Sequence, residues 1–461
     1  MRPEAAMGID KRAMSVQSGG TTNLAAGGIV NAAPRPTPRQ SANRILKNAS
    51  ALISGKAIGG VLSLAYLAIA ARSLGPAEMG FLVLAHAYAT VIAGIARFQS
   101  WQAVIRFGAP MIAAGEPAKF KTLIRFTVKL DLLSAAFSVA VALVFVGPVA
   151  KWLEWPAEAM PWVYAYCVAV PFLITASPTG VLRLFDRFRM LGWQLAIMPV
   201  VRFVGALILW GAGGGLSGFL FVWILSALLD GASLWALGWR ELKARGLMPR
   251  LRVAEGERAA PDWLPFMVKT NLSGTVDLAR TNLPLLIVGG VLGSAASGFL
   301  QLAVNLSNLI AHPANMLYQA TFPELSKIAA SDGMLAMRKV ALRSLATGVL
   351  IAAPIVIGFI LFREQLAILL GGPEFAPAAP LIALMALAQI VRTASVVLEA
   401  GVVTAGRAGY VLGSQTSSAL LNILALAIAL PLIGVSAAPL SIMGGWLILV
   451  AMYLAALFWR A

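Results

Sequence analysis

The chain has 461 residues, of which 59% are hydrophobic and 12% are charged, and its formal net charge is +17. Because a soluble domain carries about 25% charged residues, this composition excludes an ordinary water-soluble fold. Apolar runs of about 20 residues, the length that a helix needs to cross a bilayer, recur along the chain. They are too long and too continuously apolar for the strands of about ten residues that build a transmembrane β-barrel.

Residues 1–45 precede the first apolar run. They are rich in Ala, Gly, Ser, Thr, Pro and Arg and show no sustained apolar period, which is typical of disorder. A signal peptide is the alternative, with Lys11 and Arg12 before LAAGGIVNAA, but that apolar core is interrupted by glycine. We therefore expect a disordered cytoplasmic tail.

Apolar runs after this tail predict twelve transmembrane helices. They lie near 49–71, 80–104, 130–150, 161–182, 191–211, 216–238, 263–289, 297–321, 341–362, 378–403, 411–431 and 437–459. Lys and Arg are retained on the cytoplasmic side of a membrane. With the N-terminus inside, most of the 36 basic residues fall in inner loops, whereas the outer loops hold Arg72, Lys151 and Arg363. This alternation predicts that both termini are cytoplasmic, and it explains the positive charge without a nucleic-acid partner.

Two short stretches of the chain are near copies of each other. LGPAEMGFLVLA at 74–85 and LGSAASGFLQLA at 292–303 agree at eight of twelve positions, and their offset is close to half the chain. Both copies fall in short outer turns, which predicts two parallel six-helix lobes at 46–238 and 263–461, joined by a basic cytoplasmic linker at 239–262. Parallel repeats of this kind are typical of secondary transporters, whose substrate site lies between the halves.

Charged residues inside the predicted helices are the first candidate substrate-binding group. The bases are Lys56, Arg97, Arg202, Lys269, Arg280 and Arg392, and the acids are Asp230, Asp277 and Glu399. Each charge costs roughly 2.5–3.5 kcal/mol near the centre of a bilayer, so we expect these side chains to face a wet cavity or one another. The bases outnumber the acids, and the interior is therefore predicted to be cationic and suited to an anion.

Spacing along the helices suggests partners for some of these charges. Asp277 precedes Arg280 on one face of predicted helix 7, which Lys269 shares, and Arg392 shares a face of predicted helix 10 with Glu399. The alternative for Lys56, Arg97 and Lys269 is snorkelling towards the cytoplasmic surface. The three acids are also the candidates for binding a coupling proton or Na⁺, and no other cofactor is expected.

Predicted helix 8 carries a continuous polar stripe. Its members step by four and three residues and are Gln301, Asn305, Asn308, His312, Asn315 and Gln319. Amides and neutral imidazoles both donate and accept hydrogen bonds, so the stripe suits a hydroxyl-rich ligand. Hydrogen bonding between helices is the alternative. The sequence has no metal-ligand spacing, nucleophile motif or phosphate-binding loop, and we expect no enzyme activity.

Several motifs resemble one known family of transporters. The first is SGKAIGGVLSLAYLAIAARSLGPAEMGFLVLA, in which Arg72, Leu74, Gly75, Pro76 and Gly80 match the family's opening. Others are SGFLQLAVNLSNL with FPELSKIAA, GGPEFAPAAPLIALMALA, and Gly406–Arg407. Together, over about residues 45–459, they are similar to the polysaccharide transporters, the Wzx-type O-antigen flippases of the MOP superfamily. Lipid II flippases and MATE exporters share these motifs more loosely.

This resemblance implies an all-α integral membrane fold of twelve helices in two lobes, with the V shape of MATE and lipid II flippase proteins. It implies alternating access and a polyprenyl-pyrophosphate-linked oligosaccharide as cargo, such as an O-antigen, lipopolysaccharide or exopolysaccharide repeat unit. The location would be the bacterial inner membrane, with lipids and polymerase or export machinery as partners. The alternative function is a MATE-type cation-coupled multidrug exporter, for which an acidic, aromatic cavity would be expected.

Overall fold

Helices make up almost all of the protein in its computed structural model, which describes residues 38–249 and 261–458. These described ranges contain no strand. Long helices are the expected outcome for such apolar runs, because a backbone in lipid must satisfy its hydrogen bonds within the segment. Most of the predicted tail at 1–45 and part of the predicted linker at 239–262 lie outside the described residues.

The helices are numbered in chain order. The first half of the chain contains α1 (Pro38–Ala96), α2 (Ser100–Ala113), α3 (Pro117–Trp152), α4 (Met160–Ala169), α5 (Ala176–Leu184), α6 (Phe188–Gln194), α7 (Ile197–Ala212) and α8 (Leu216–Ala244). The second half contains α9 (Trp263–Leu292), α10 (Ser294–Ser331), α11 (Gly333–Leu361), α12 (Arg363–Gly371), α13 (Ala379–Thr404), α14 (Ala408–Ile433) and α15 (Ala437–Phe458). Short segments of 3₁₀-helix occur at 157–159, 170–173, 373–378 and 434–436.

A multi-pass membrane protein was predicted, and the helices confirm it. Within the described residues, nine helical segments are long and apolar enough to cross a membrane. Two of them, at 58–113 and 409–458, contain 56 and 50 residues, far more than one span needs. Each is interrupted by a glycine with positive φ, Gly75 (φ 69°) and Gly434 (φ 63°). The number twelve stays a prediction.

Three of the predicted helices are not continuous, which the sequence analysis did not anticipate. The run at 80–104 is broken at 97–99, the run at 161–182 is broken before α5, and the run at 191–211 divides into α6 and α7. Asp131 on α3, which is 1% exposed, stabilises two of these breaks. Its carboxylate accepts hydrogen bonds of 2.8 Å from the Ser100 hydroxyl and from the backbone N–H of Ser177, at the starts of α2 and α5. Broken helices are tolerated in a membrane when their freed backbone groups find such partners.

The internal repeat is present in the backbone and in the packing. Gly75 (φ 69°, ψ 177°) and Gly293 (φ 85°, ψ 173°) adopt nearly the same conformation, in the region of φ that favours glycine. Six residues further on, Phe81 meets the ring of Trp155 edge-to-face, with a centroid distance of 5.6 Å. The equivalent Phe299 meets Phe375 edge-to-face, also at 5.6 Å. The two copies therefore build the same local structure twice.

The hydrophobic core joins the two halves of the chain at one end of the bundle. We call this the glycine-turn end, because Gly75 and Gly293 lie there, and we call the opposite end, which includes the α2–α3 turn, the basic end. Near the glycine-turn end, one continuous core combines residues of both halves, such as Leu82 and Leu300. Towards the basic end, the described core divides into smaller clusters. One around Phe120 lies within the first half, one around Leu325 lies within the second half, and a third joins Leu123 to Trp263 of α9.

Helix α9 packs along the first half of the chain. At the basic end, the ring centroids of Trp263 and Phe126 are 5.7 Å apart, and Trp263 is 3% exposed. At the glycine-turn end, a Cβ placed on Gly290 would lie 2.2 Å from the indole of Trp152. Helix α9 also contacts α14. The helix that opens the predicted second lobe thus packs against helices of both halves.

Candidate functional site

Two arginines predicted as binding residues meet at one tryptophan in the second half. The guanidinium carbon of Arg280 on α9 lies 4.2 Å from the ring centroid of Trp446 on α15. The guanidinium carbon of Arg392 on α13 lies 5.7 Å from the same centroid. Both arginines are half-buried. A cation over an indole face is attracted by the ring quadrupole, so Trp446 holds two positive charges near one point.

Hydrogen bonds connect this cluster to α10. Arg392 donates through Nη1 to the amide oxygen of Gln389, at 3.3 Å. Gln389, which is 6% exposed, donates in turn to the hydroxyl of Ser307 on α10, at 3.2 Å. The Arg392 guanidinium is therefore oriented from two sides, by Trp446 and by Gln389. We call Arg280, Arg392, Trp446 and Gln389 the arginine–tryptophan cluster.

The polar stripe of predicted helix 8 lies on α10. Gln301 donates to the side-chain oxygen of Asn305 at 3.1 Å, which places these two amides side by side as the spacing predicted. Gln301 and Asn305 are half-buried, and Asn308 is exposed. Asn308 directly follows Ser307, the residue that connects α10 to the arginine–tryptophan cluster. The side chains of His312, Asn315 and Gln319 lie outside the described residues.

Arg202 belongs to a second, more enclosed group in the first half. It is 5% exposed, and it donates to Ser226 at 2.9 Å and to Tyr66 at 3.3 Å. Its guanidinium carbon lies 4.1 Å from the ring centroid of Trp223. His86 is hydrogen-bonded to the hydroxyl of Tyr166 and meets Trp223 edge-to-face, with a centroid distance of 5.1 Å. Arg202 is thus more fully enclosed by the protein than the half-buried Arg280 and Arg392.

Two polar residues of the first half escaped the sequence analysis. His86 and Asp131 were not singled out, because His86 stands alone in an apolar run and Asp131 lies near the start of one. Asp131 could have been found as an acid within α3, but its role depends on Ser100 and Ser177, which are distant in sequence. Trp446 gave no signal of its own among apolar neighbours.

The remaining predicted charges have more varied surroundings. Asp230 accepts a hydrogen bond of 2.7 Å from Gln194, and Glu399 accepts one of 3.2 Å from Gln415 on α14. Arg97 lies in the break between α1 and α2 and is half-buried. The side chains of Lys56, Lys269 and Asp277 lie outside the described residues. Among the described His, Cys, Asp and Glu side chains, no group of three could hold a metal ion.

Comparison with known proteins gives one family and one curated relative. The family model for a polysaccharide biosynthesis protein matches residues 69–380. The chain is also 28% identical, over 286 residues, to the inner membrane protein YghQ of Escherichia coli (strain K12). That alignment covers 62% of this chain and 81% of the relative.

Solved structures of two transporters are similar in fold. One is the inward-facing conformation of a multidrug resistance MATE family transporter of the MOP superfamily, with a TM-score of 0.68 and 14% identity, covering 88% of this chain and 97% of that chain. The other is the lipid II flippase MurJ in its inward closed conformation, with a TM-score of 0.68 and 12% identity, covering 87% of this chain and 86% of that chain. These likenesses confirm the predicted fold class.

Proposed function

Because the chain belongs to the polysaccharide biosynthesis protein family, as its motifs predicted, and folds as a transporter of the MOP superfamily, we propose that it is a flippase for a lipid-linked oligosaccharide. The family and fold are those of transporters and not of enzymes. The proposed cargo is a polyprenyl-pyrophosphate-linked repeat unit of an O-antigen or exopolysaccharide, carried across the inner membrane by alternating access. The kinship with an inner membrane protein supports this location.

The arginine–tryptophan cluster is the observation that carries this proposal. Arg280 and Arg392 present two guanidinium groups beside one indole. The two guanidinium carbons cannot be further apart than the sum of their distances to the Trp446 ring centroid. One ligand with adjacent anionic groups can therefore reach both arginines. A pyrophosphate has this character, and Arg binds phosphate oxygens through two parallel hydrogen bonds.

The polar face of α10 supports a glycan beside this anion site. Ser307, which connects α10 to Gln389 and thus to Arg392, lies within one helical turn of Asn305 and Asn308, so the stripe and the anion site are at the same level along α10. Amide side chains match sugar hydroxyls because they donate and accept at once. A polyprenyl chain needs no polar partner and would remain in the lipid next to the protein.

The distribution of the hydrophobic core between the two ends of the bundle supports entry of cargo at the basic end. The halves share one large core near the glycine-turn end, whereas the described clusters towards the basic end are smaller, and among them the cluster that includes Trp263 of α9 joins the two halves. The positive-inside rule makes the basic end cytoplasmic. A space that opens there would receive a lipid-linked glycan that was built in the cytoplasm. Both termini would then be cytoplasmic, and polymerase or export machinery would act on the cargo after release.

A proton or Na⁺ is the proposed coupling ion, with Asp230, Asp277 and Glu399 as candidate binding residues. Asp230 carries the most specific support, because its carboxylate is held by Gln194 one turn along α8 from Ser226, the partner of Arg202. Binding of a cation at Asp230 would change the electrostatic surroundings of Arg202 in the same lobe.

Complementation of a host that lacks its own polysaccharide flippase tests the proposed function. Arg280→Ala and Arg392→Ala are each expected to abolish surface polysaccharide while membrane abundance of the protein stays normal. Arg343→Ala is the matched control, because Arg343 is an exposed arginine of α11 in the same half. Normal export by both cluster variants would contradict the proposal. Export of drug cations without export of glycan would favour the multidrug exporter instead.

A further inference from the structure

Gly80 and Gly298 occupy equivalent positions of the internal repeat and touch the opposite copy. A Cβ placed on Gly80 would lie 1.7 Å from the carbonyl oxygen of Ser294. A Cβ placed on Gly298 would lie 2.4 Å from the carbonyl oxygen of Pro76. Pro76 and Ser294 are themselves equivalent positions. The contact is therefore reciprocal, as at a two-fold interface, and only glycine permits it from either side.

Further contacts cross between the halves beside this pair. Arg72, on the first half, donates to the backbone carbonyl oxygen of Leu369 on α12, at 2.6 Å. The carboxylate of Glu374, in the turn that follows α12, lies 2.8 Å from the position of a Cβ on Gly75. Gly75 precedes a helix start, where a carboxylate is electrostatically favoured. Side chains of each half thus rest on the backbone of the other.

We propose that this contact, formed by Gly80, Gly298 and the carbonyl groups of Pro76 and Ser294 and here called the glycine lock, holds the glycine-turn end closed and parts once in each transport cycle. The proposal rests on the proposed function, because it assumes two states that open at opposite ends. Its geometry suits a reversible contact. Backbone meets backbone at the two glycines, so no side chain of the pair itself has to be withdrawn before the two copies separate. A permanent seam between the halves would instead stay closed in every state.

Alanine at either glycine is the direct perturbation. Each added methyl group would collide with a backbone carbonyl that cannot move independently of its helix, so the lock should part. Gly358→Ala in α11 is the matched control, because Gly358 is also within a helix and a Cβ there would meet nothing within 4 Å. Since one clash is enough to open the contact, Gly80→Ala and Gly298→Ala should be non-additive when combined.

The readout is the distance between spin labels at the glycine-turn end, measured by double electron–electron resonance on the full chain in nanodiscs. Glu158→Cys and Glu364→Cys place one exposed label on each half, in a Cys167→Ala background. Both glycine variants are expected to shift the distribution to longer distances, with the short-distance population falling by about tenfold relative to the long-distance one. The distance distribution of the Gly358→Ala variant should match that of the labelled protein in which all glycines are unaltered.

The distance measurement uses no cargo, so it tests the lock even if the proposed substrate is wrong. An unchanged distribution in folded Gly80→Ala and Gly298→Ala would overturn the proposal. If those variants do not fold, Arg72→Ala decides, because it removes the hydrogen bond to Leu369 without adding a clash. It should lengthen the distance partially, whereas the exposed Lys151→Ala at the same end should not. An unchanged distribution in Arg72→Ala would then overturn the lock.

Discussion

Replacing Trp446 with leucine tests whether one ring positions both arginines of the proposed anion site. Trp446→Leu keeps an apolar side chain on α15 but removes the indole face that Arg280 and Arg392 share. A cation–π contact contributes about 0.5–1 kcal/mol at exposed sites and about 2 kcal/mol when desolvated, within about 6 Å of the ring centroid. Half-buried Arg280, at 4.2 Å, should gain about 1–2 kcal/mol, and Arg392, at 5.7 Å, should gain about 0.5 kcal/mol.

The combined loss of about 1.5–2.5 kcal/mol corresponds to a transport rate lower by about 10- to 70-fold. The assay follows the appearance of a labelled lipid-linked oligosaccharide in the opposite leaflet of proteoliposomes, detected by a glycosidase that cannot cross the membrane. Trp446→Phe should recover part of the rate, because a smaller aromatic face remains. Equal rates for Trp446→Leu and the unaltered protein, under conditions in which Arg280→Ala is inactive, would refute a positioning role for the ring.

Three further predictions follow from the structure. Gln389→Ala should lower transport by about 2- to 10-fold, because one oriented hydrogen bond to Arg392 contributes about 0.5–1.5 kcal/mol, and an effect as large as that of Arg392→Ala would contradict this. Asp131→Ala should lower the free energy of unfolding of the detergent-solubilised protein by about 1–3 kcal/mol, because it leaves the buried backbone N–H of Ser177 without an acceptor. Asp131→Asn should lower the stability less, since the amide oxygen can still accept a hydrogen bond there, and equal losses for the two variants would argue against this role of Asp131. In intact cells, a membrane-impermeant thiol reagent should label a cysteine at exposed Glu158 and not one at exposed Lys243, and the reverse pattern would invert the topology.

Local sequence was sufficient for the class of protein. Length and apolarity predicted a helical membrane protein, because insertion into lipid depends on the composition of each segment taken by itself. The repeat at 74–85 and 292–303 predicted equivalent turns, and Gly75 and Gly293 adopt nearly the same φ and ψ. The prediction that three helices are continuous was wrong. Hydropathy does not show a break whose polar groups are hydrogen-bonded by a side chain from another helix, as Asp131 does at the starts of α2 and α5.

The candidate site shows the same division between local and long-range information. The sequence by itself picked out Arg280, Arg392 and Arg202 as charges too costly to face lipid, and it placed Gln301 beside Asn305 on one helix face. Only the tertiary structure decided that Arg280 and Arg392 share Trp446, while Arg202 is enclosed by Ser226, Tyr66 and Trp223. The cost of burying a charge belongs to one residue and can be read from its segment. The partner that offsets this cost comes from another helix, and which helices meet is settled by packing along the whole chain.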